Sequence, residues 1–299
     1  MDRLHLMAVF VAVAEQEGFA GGARRLGLSP PTVTRAIAAL EQHLGTVLFT
    51  RTTRHVRLTD AGQRYLEDSR RVLAMADEAD QAAQGANAEP RGNLVVTASV
   101  MFGRLYVMPG IIEYMRRYPA VNVVALFVDR VMNMMEEGVD VAIRIGELPD
   151  SSYKALRVGT VHRLLCASPG YLAEHGIPQS PDELCKHDIV LSSGLNATSE
   201  LRMYQDKRTF GVKVKPRLMV SDIASTVGAA VNGLGIAQLM SYQIGAELSA
   251  GTLQVVLEHY ELAPVPVHIL HNQGRFAPSK LRRFIDLMAA RLRATQLMG

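Results

Sequence analysis

The 299-residue sequence predicts an α/β protein of two unlike parts: a small helical head carrying a β-hairpin, and a larger region where strands and helices alternate. Three observations carry this expectation. Up to Gly45, apolar side chains recur at helical spacing between glycine stops. Two short strand-like runs follow. From Leu94 onward, apolar runs of strand length alternate with amphipathic stretches. A chain this long exceeds one ordinary core, so two or three domains are expected, placed at 1–59, 60–91 and 92–299.

Leu4, Met7, Ala8, Val11 and Ala14 form the stripe of a first helix that stops near Gly18. A second, Ala20 to Leu26, closes at Gly27, a usual residue just past a helix end. Ser29 is a good N-cap for the third, and Pro30 fits its first position, where a missing N–H costs nothing. Val33, Ile37, Leu40 and Leu44 form the buried stripe of that helix, leaving Thr32, Thr34, Arg35, Ala38, Glu41 and Gln42 around the remainder. Val47–Phe49 and His55–Leu58 read as two short strands, with the polar tip Arg51-Thr52-Thr53-Arg54 between them. Asp60 and Gln63, spaced as a capping box, open a long helix to about Gln84, and Gly85–Gly92 reads as a linker. In this helix Tyr65, Ser69, Val72, Ala76, Ala79 and Ala83 alternate four and three apart, a seam suited to pairing with a second subunit.

The rest reads strand Leu94–Ala98, helix Met108–Arg117, strand Val121–Phe127, helix Val131–Glu137, strand Val139–Ile145, then renewed alternation from Arg157 and a last helix from Pro278 to Leu292. Largely parallel sheets are expected. The run Met132-Asn133-Met134-Met135 reads as a packed helix or subunit contact.

Charge is distributed unevenly. From Ala20 to Leu66 seven arginines face two acids, Glu41 and Asp60; from Glu67 to Pro90 six acids face two arginines. A basic block beside an acidic stretch is a footprint for a polyanion, hidden by the whole-chain charge of +3. Two helices joined by a short glycine turn, the second exposing Thr and Arg on its leading turns, form a helix-turn-helix pattern, and the hairpin makes it winged.

Other chemistry is not evident. The nine histidines lack metal-ligand spacing, and the sequence contains no GxSxG elbow, P-loop or GxGxxG fingerprint, so no enzyme, cofactor or metal is expected. Cys166 sits in an apolar strand-like run, and neither it nor Cys185 has an activating cation beside it. Acids and arginines interrupt every apolar run short of a membrane span, and no export pattern opens the chain. The expected location is the cytoplasm.

Ala23-Arg24-Arg25-Leu26-Gly27-Leu28-Ser29, Val33-Thr34-Arg35-Ala36-Ile37, Leu40-Glu41-Gln42-His43-Leu44-Gly45, Leu48-Phe49-Thr50-Arg51 and Leu58-Thr59-Asp60-Ala61-Gly62 together resemble the N-terminal signature of LysR-type transcriptional regulators, in order and spacing. More loosely, Gly92-Asn93-Leu94, Tyr118-Pro119, Asp140-Val141-Ala142-Ile143-Arg144 and Gly233-Leu234-Gly235-Ile236-Ala237 are similar to that family's effector-binding region. The resemblance implies a winged helix-turn-helix, a linker helix, and a two-lobed effector domain like periplasmic binding proteins. It also implies tetramers and control of RNA polymerase recruitment at a promoter; paired recognition helices call for double-stranded DNA with a palindromic promoter site, and Ser99 and Arg144 at strand ends for an anionic small-molecule effector.

Carried over by motif, Ser29, Pro30, Thr32, Thr34 and Arg35 face the major groove, and Arg51, Arg54 and Arg57 on the wing meet phosphates or the minor groove. Pro30 stands where many members carry glutamine, which shifts readout to its neighbours. Gly21 and Gly22 replace the usual alanines, each costing about 1 kcal/mol of helix stability, and Ala20 stands where a capping Ser or Thr is common. Ligands of open α/β domains bind at strand carboxyl ends, so the effector candidates are Ser99, Val100, Met101 and Phe102; Arg144 and Ile145; Asp222 after Ser221; and Gln238 and Leu239.

A transport solute-binding protein and an enzyme on the same scaffold are the rival readings. The first leaves the head unexplained, and the second lacks a catalytic constellation.

Overall fold

The computed structural model describes residues 2–51, 56–83, 89–148, 153–192, 199–272 and 277–295. Two compact units result, Met1–Ala88 and Glu89–Gly299.

In the first unit, α1 (Arg3–Glu15), α2 (Phe19–Leu26) and α3 (Pro30–Leu44) precede the strands β1 (Phe49–Arg51) and β2 (Val56–Leu58) and the long α4 (Asp60–Ala83). Gly27 and Gly45 end α2 and α3 with φ of 64° and 65°, a left-handed turn that a Cβ would strain. Their core is Val9, Phe10, Val13, Val33, Ile37, Leu40 and Leu48, all shielded from solvent. Phe10 lies at its centre, with its ring 5.2 Å from Phe49 and 5.4 Å from Tyr65.

Three expectations change here. α2 starts at Phe19 with Gly18 as its N-cap, and Gly21 and Gly22 have a packing reason. A Cβ on Gly22 would lie 2.8 Å from Val13, and one on Gly21 2.8 Å from Gln16. α4 is capped by Thr59, whose hydroxyl accepts the Gly62 N–H at 2.9 Å, rather than by the Asp60–Gln63 box. The seam on α4 is divided: Tyr65 and Ser69 pack into their own unit, whereas Val72 and Ala79 are exposed, as is Met75 beside them. The Ala83 side chain lies outside the described set.

The second unit contains two five-stranded sheets. The first has the order β4-β3-β5-β14-β6, from Val121–Phe127, Gly92–Ala98, Val141–Ile145, Val265–His271 and Lys154–Val161. After β3 the chain forms α5 (Val100–Phe102), a π turn (Gly103–Val107) and α6 (Met108–Arg117), one continuous helical run. The second sheet has the order β11-β8-β12-β7-β13, from Pro216–Val220, Ile189–Ser192, Ile236–Met240, Arg163–Ala167 and Gln254–Val256. It is flanked by α7 (Pro169–His175), the hairpin β9 (Glu200–Gln205) and β10 (Arg208–Lys213), α8 (Ile223–Val231) and α9 (Gly245–Ser249). α10 (Ser279–Ala294) closes the chain against the first sheet.

Both sheets are mixed, not largely parallel. β3 pairs parallel with β4 and β5, but β14 runs antiparallel to β5 and β6, and β7 antiparallel to β12 and β13. The cause is topological, because the chain crosses between lobes after β6 and returns after β13, entering each sheet against its local direction. Ser241 fastens that crossing: its N–H donates to the His162 carbonyl at 2.8 Å, and its hydroxyl accepts the His162 N–H at 3.1 Å.

The expected helix over Val131–Glu137 is an irregular turn. The Asn133 side-chain carbonyl accepts the Met135 N–H at 3.2 Å, a local bond that competes with helix formation, and Gly138 follows with φ of 63°. Met132 and Met134, two apart, are buried while Val131 and Met135 are exposed, a period of two that no helix produces.

Candidate functional site

Chain-local rules assemble the reading face of the head. Ser29 holds the β conformation of an N-cap, and its hydroxyl lies 2.8 Å from that of Thr32 and 3.4 Å from the Thr32 N–H. Thr34 is turned back, its hydroxyl donating to the Pro30 carbonyl at 3.0 Å. That bond satisfies Thr34 within the helix and leaves Arg35 as the longest donor on these turns. Ser29, Pro30 and Arg35 are exposed, Thr32 and Thr34 half-buried.

Arg35 and Arg57 have no ion pair among the described residues, whereas Arg25 is bound to Glu15, which also takes Arg70 at 2.8 Å. Glu15 is thereby held below the ordinary carboxylate range: burial opposes the shift, and the hydrogen bonds and charges of Arg70 and Arg25 outweigh it. The structure therefore separates structural arginines from free ones. Arg57 faces solvent on β2, opposite Thr50; only the backbone of Arg51 is described, and Arg54 lies outside the described residues.

The sequence reading assigned no role to Glu41. Its Oε1 accepts the backbone N–H of Leu48 at 2.7 Å and of Phe49 at 3.2 Å, so one carboxylate on α3 holds the base of the hairpin. The available signal was an acid standing inside a basic block.

In the larger unit, a cavity of about 440 Å³ opens on the first sheet, a usual size for a small-molecule site. Three of the sequence candidates line it: Ser99, Arg144 and Ile145. Val128, Met132, Met134, Leu148, Tyr153 and Leu270 also line it and were not expected; they meet only through the strand order. The Val100 N–H donates to Asp129 Oδ1 at 3.0 Å, so the carboxylate of Asp129, not the Ser99 hydroxyl, caps this helix. The Ser99 hydroxyl is buried beside Tyr242, whose phenol is raised by burial against the opposing effect of Ser99 and Gln243.

Other candidates have structural places. Phe102 is fully buried, its ring 5.0 Å from Tyr106 and 5.1 Å from Tyr242. Met101 packs on the same core, and Val100 is exposed. Asp222 caps α8, accepting the Ser225 N–H at 2.8 Å, and that hydrogen bonding holds its carboxyl low. Gln238 donates to the Arg202 carbonyl at 3.1 Å, and Leu239 is core. None of these six lines the cavity.

Arg144 is the cavity's distinctive group. Its Nη2 is buried and has no hydrogen-bond partner among the described residues. Desolvation pulls its pKa down, and the Glu137 charge partly offsets this. Arg130, by contrast, forms a bidentate pair with Glu137, and this pair holds the Glu137 carboxyl low. A larger groove of about 570 Å³ at α6 and α10 differs in kind: it is lined by Arg117, Arg283 and Asp286 and by the pair of Arg291 with Glu113 at 2.9 Å. Cys166 is fully buried, its thiol pushed up to about 12 by burial and then by Glu247, so it is inert. Among the described residues no helix is long and apolar enough to cross a membrane.

A head built to present one helix and a hairpin, joined to a two-lobed body with a ligand-sized cavity, defines a DNA-binding regulator that senses a small molecule. Residues 4–63 match the family of bacterial regulatory helix-turn-helix proteins of the lysR type, and residues 87–293 match the LysR substrate binding domain. The chain belongs to the LysR family of transcriptional regulators, a family of regulators and not of enzymes, whose members bind DNA and small-molecule effectors and oligomerise. It is 32% identical to the regulator YhjC of Escherichia coli, over 97% of each chain. It is 30% identical to an uncharacterized HTH-type transcriptional regulator of Haemophilus influenzae, over 94% of this chain and 98% of that one. Among solved structures it is similar to CrgA, a LysR-type transcriptional regulator of Neisseria meningitidis, at 26% identity and a TM-score of 0.62, covering 96% of this chain and 98% of that one.

Proposed function

We propose that the leading turns of α3 enter the major groove of a palindromic promoter site. Arg35 pairs with a guanine edge, Ser29 and Thr32 read or position beside it, and Pro30 and Thr34 shape the turn. Arg57, with Arg51 and Arg54 of the hairpin, meets phosphates or the minor groove and supplies affinity without base choice. The single observation supporting this reading is that Arg35 projects into solvent without an acidic partner among the described residues, whereas Arg25 on α2 is paired with Glu15. Copies pair along the exposed part of α4 around Val72, Met75 and Ala79, which sets two half-sites about one helical turn apart. An anionic effector in the Arg144 cavity alters how copies pack, and RNA polymerase recruitment at the promoter changes with it. The protein works in the cytoplasm, beside the DNA.

The test is a gel shift of the full chain on the intergenic DNA upstream of its own gene, run at 50 and 200 mM salt. Six to ten phosphate contacts make affinity fall about a thousandfold or more between these conditions. Binding that ignores salt, or that is equal on unrelated DNA, contradicts the reading.

A further inference from the structure

The cavity's chemistry is narrower than its volume. Its wall is largely apolar, with Val128, Met132, Met134, Leu148 and Leu270 lining it. Of its charged lining groups, Arg130 is held by Glu137, Asp129 accepts the Val100 N–H, and Glu147 is exposed to solvent. Arg144 is left with a buried Nη2 that finds no acceptor among the described residues. Directly across the strand pair, in register with Arg144 and so on the same sheet face, stands His268, outside the cavity's lining, whose Nδ1 is also buried and without a partner among the described residues. A buried guanidinium nitrogen without an acceptor is costly, and so is a buried ring nitrogen beside it. The Arg144 Nη2 beside this apolar lining is what a ligand carrying one acidic group on an apolar body would satisfy.

We propose that the effector is an amphipathic monocarboxylic acid, aryl or medium-chain alkyl, whose carboxylate pairs with Arg144 while its apolar body lies against Met132 and Met134. This rests on the reading of the cavity as the effector site and adds the ligand's chemical class. A dianion is disfavoured, because its second charge would be set against methionines, and the other lining arginine, Arg130, is already paired with Glu137. Methionine walls adapt to different apolar shapes, so selectivity resides in the acid group more than in the outline of the body.

The test uses the full-length chain and five probes: benzoate, octanoate, their neutral amides benzamide and octanamide, and the dianion octanedioate. Calorimetry and thermal shift give affinities, and anisotropy on upstream DNA gives the regulatory response. At least one monoacid is expected to bind and raise Tm, the amides and the dianion to bind much more weakly, and Arg144→Gln to weaken the acid about tenfold to a hundredfold. Met134→Trp fills the cavity while leaving Arg144 intact, and is expected to abolish binding; it decides the matter if Arg144→Gln fails to fold. Amides that bind as tightly as the acids, acid binding unchanged in Arg144→Gln, or no binding by either acid would overturn the assigned class. Arg144-dependent acid binding that leaves DNA affinity unmoved would instead contradict the effector reading and leave the ligand class standing.

Discussion

Phe10→Ala is expected to unfold the N-terminal unit and abolish DNA binding while leaving the larger unit folded. Phe10 is completely buried and contacts the rings of both Phe49, at the start of the hairpin, and Tyr65, on α4. Truncating such a phenylalanine costs about 3–5 kcal/mol, a large share of the roughly 5–15 kcal/mol that holds a domain together. The loss is concentrated because this core is small and the two aromatic neighbours, Phe49 and Tyr65, both pack on the one ring. Hydrogen exchange on the full chain measures it. Amides between residues 3 and 66 are expected to lose protection while those between 92 and 295 keep it. Retained protection in α1 and α3 would show that the ring does not organise the head.

Gly62→Val is expected to destabilise the same unit by about 2–3 kcal/mol, the cost of overpacking a tight contact. Gly62 is helical, so its importance does not lie in backbone conformation. A Cβ built there would sit 2.1 Å from the Leu48 carbonyl oxygen and 3.1 Å from the Leu58 side chain. That oxygen already accepts the Thr59 N–H at 3.0 Å, so it cannot move without breaking the junction between hairpin and α4. Helix propensity alone would count the loss of an interior glycine as a gain. Thermal unfolding therefore separates the two effects by sign, and a raised Tm would contradict the packing.

The head was legible because its rules are local. Ser29, Pro30, Gly27 and Gly45 mark caps and stops through their own backbone preferences, and the structure places α3 within those marks. The errors there were of neighbouring residues competing for one role, as Thr59 took the cap assigned to Asp60. In the body, strand and helix order was readable but sheet direction was not, because direction depends on where the chain re-enters a distant sheet. The strand-end rule named Ser99 and Arg144, which line the cavity, and also Phe102 and Leu239, whose side chains turn into the core. Met132 and Met134 were misread because Asn133 diverts the backbone, and Leu270 joins them only through the pairing of β14 with β5.

The most direct test of the DNA-reading assignment is a base-by-base comparison of wild type and Arg35→Ala on a set of operators, each carrying one substituted base pair. Arg35→Ala is expected to lose about 1–3 kcal/mol of discrimination at a single base pair in each half-site and to keep wild-type preferences elsewhere. Equal weakening on every operator would contradict it, because Arg35 would then be a phosphate contact and base reading would lie elsewhere on the head.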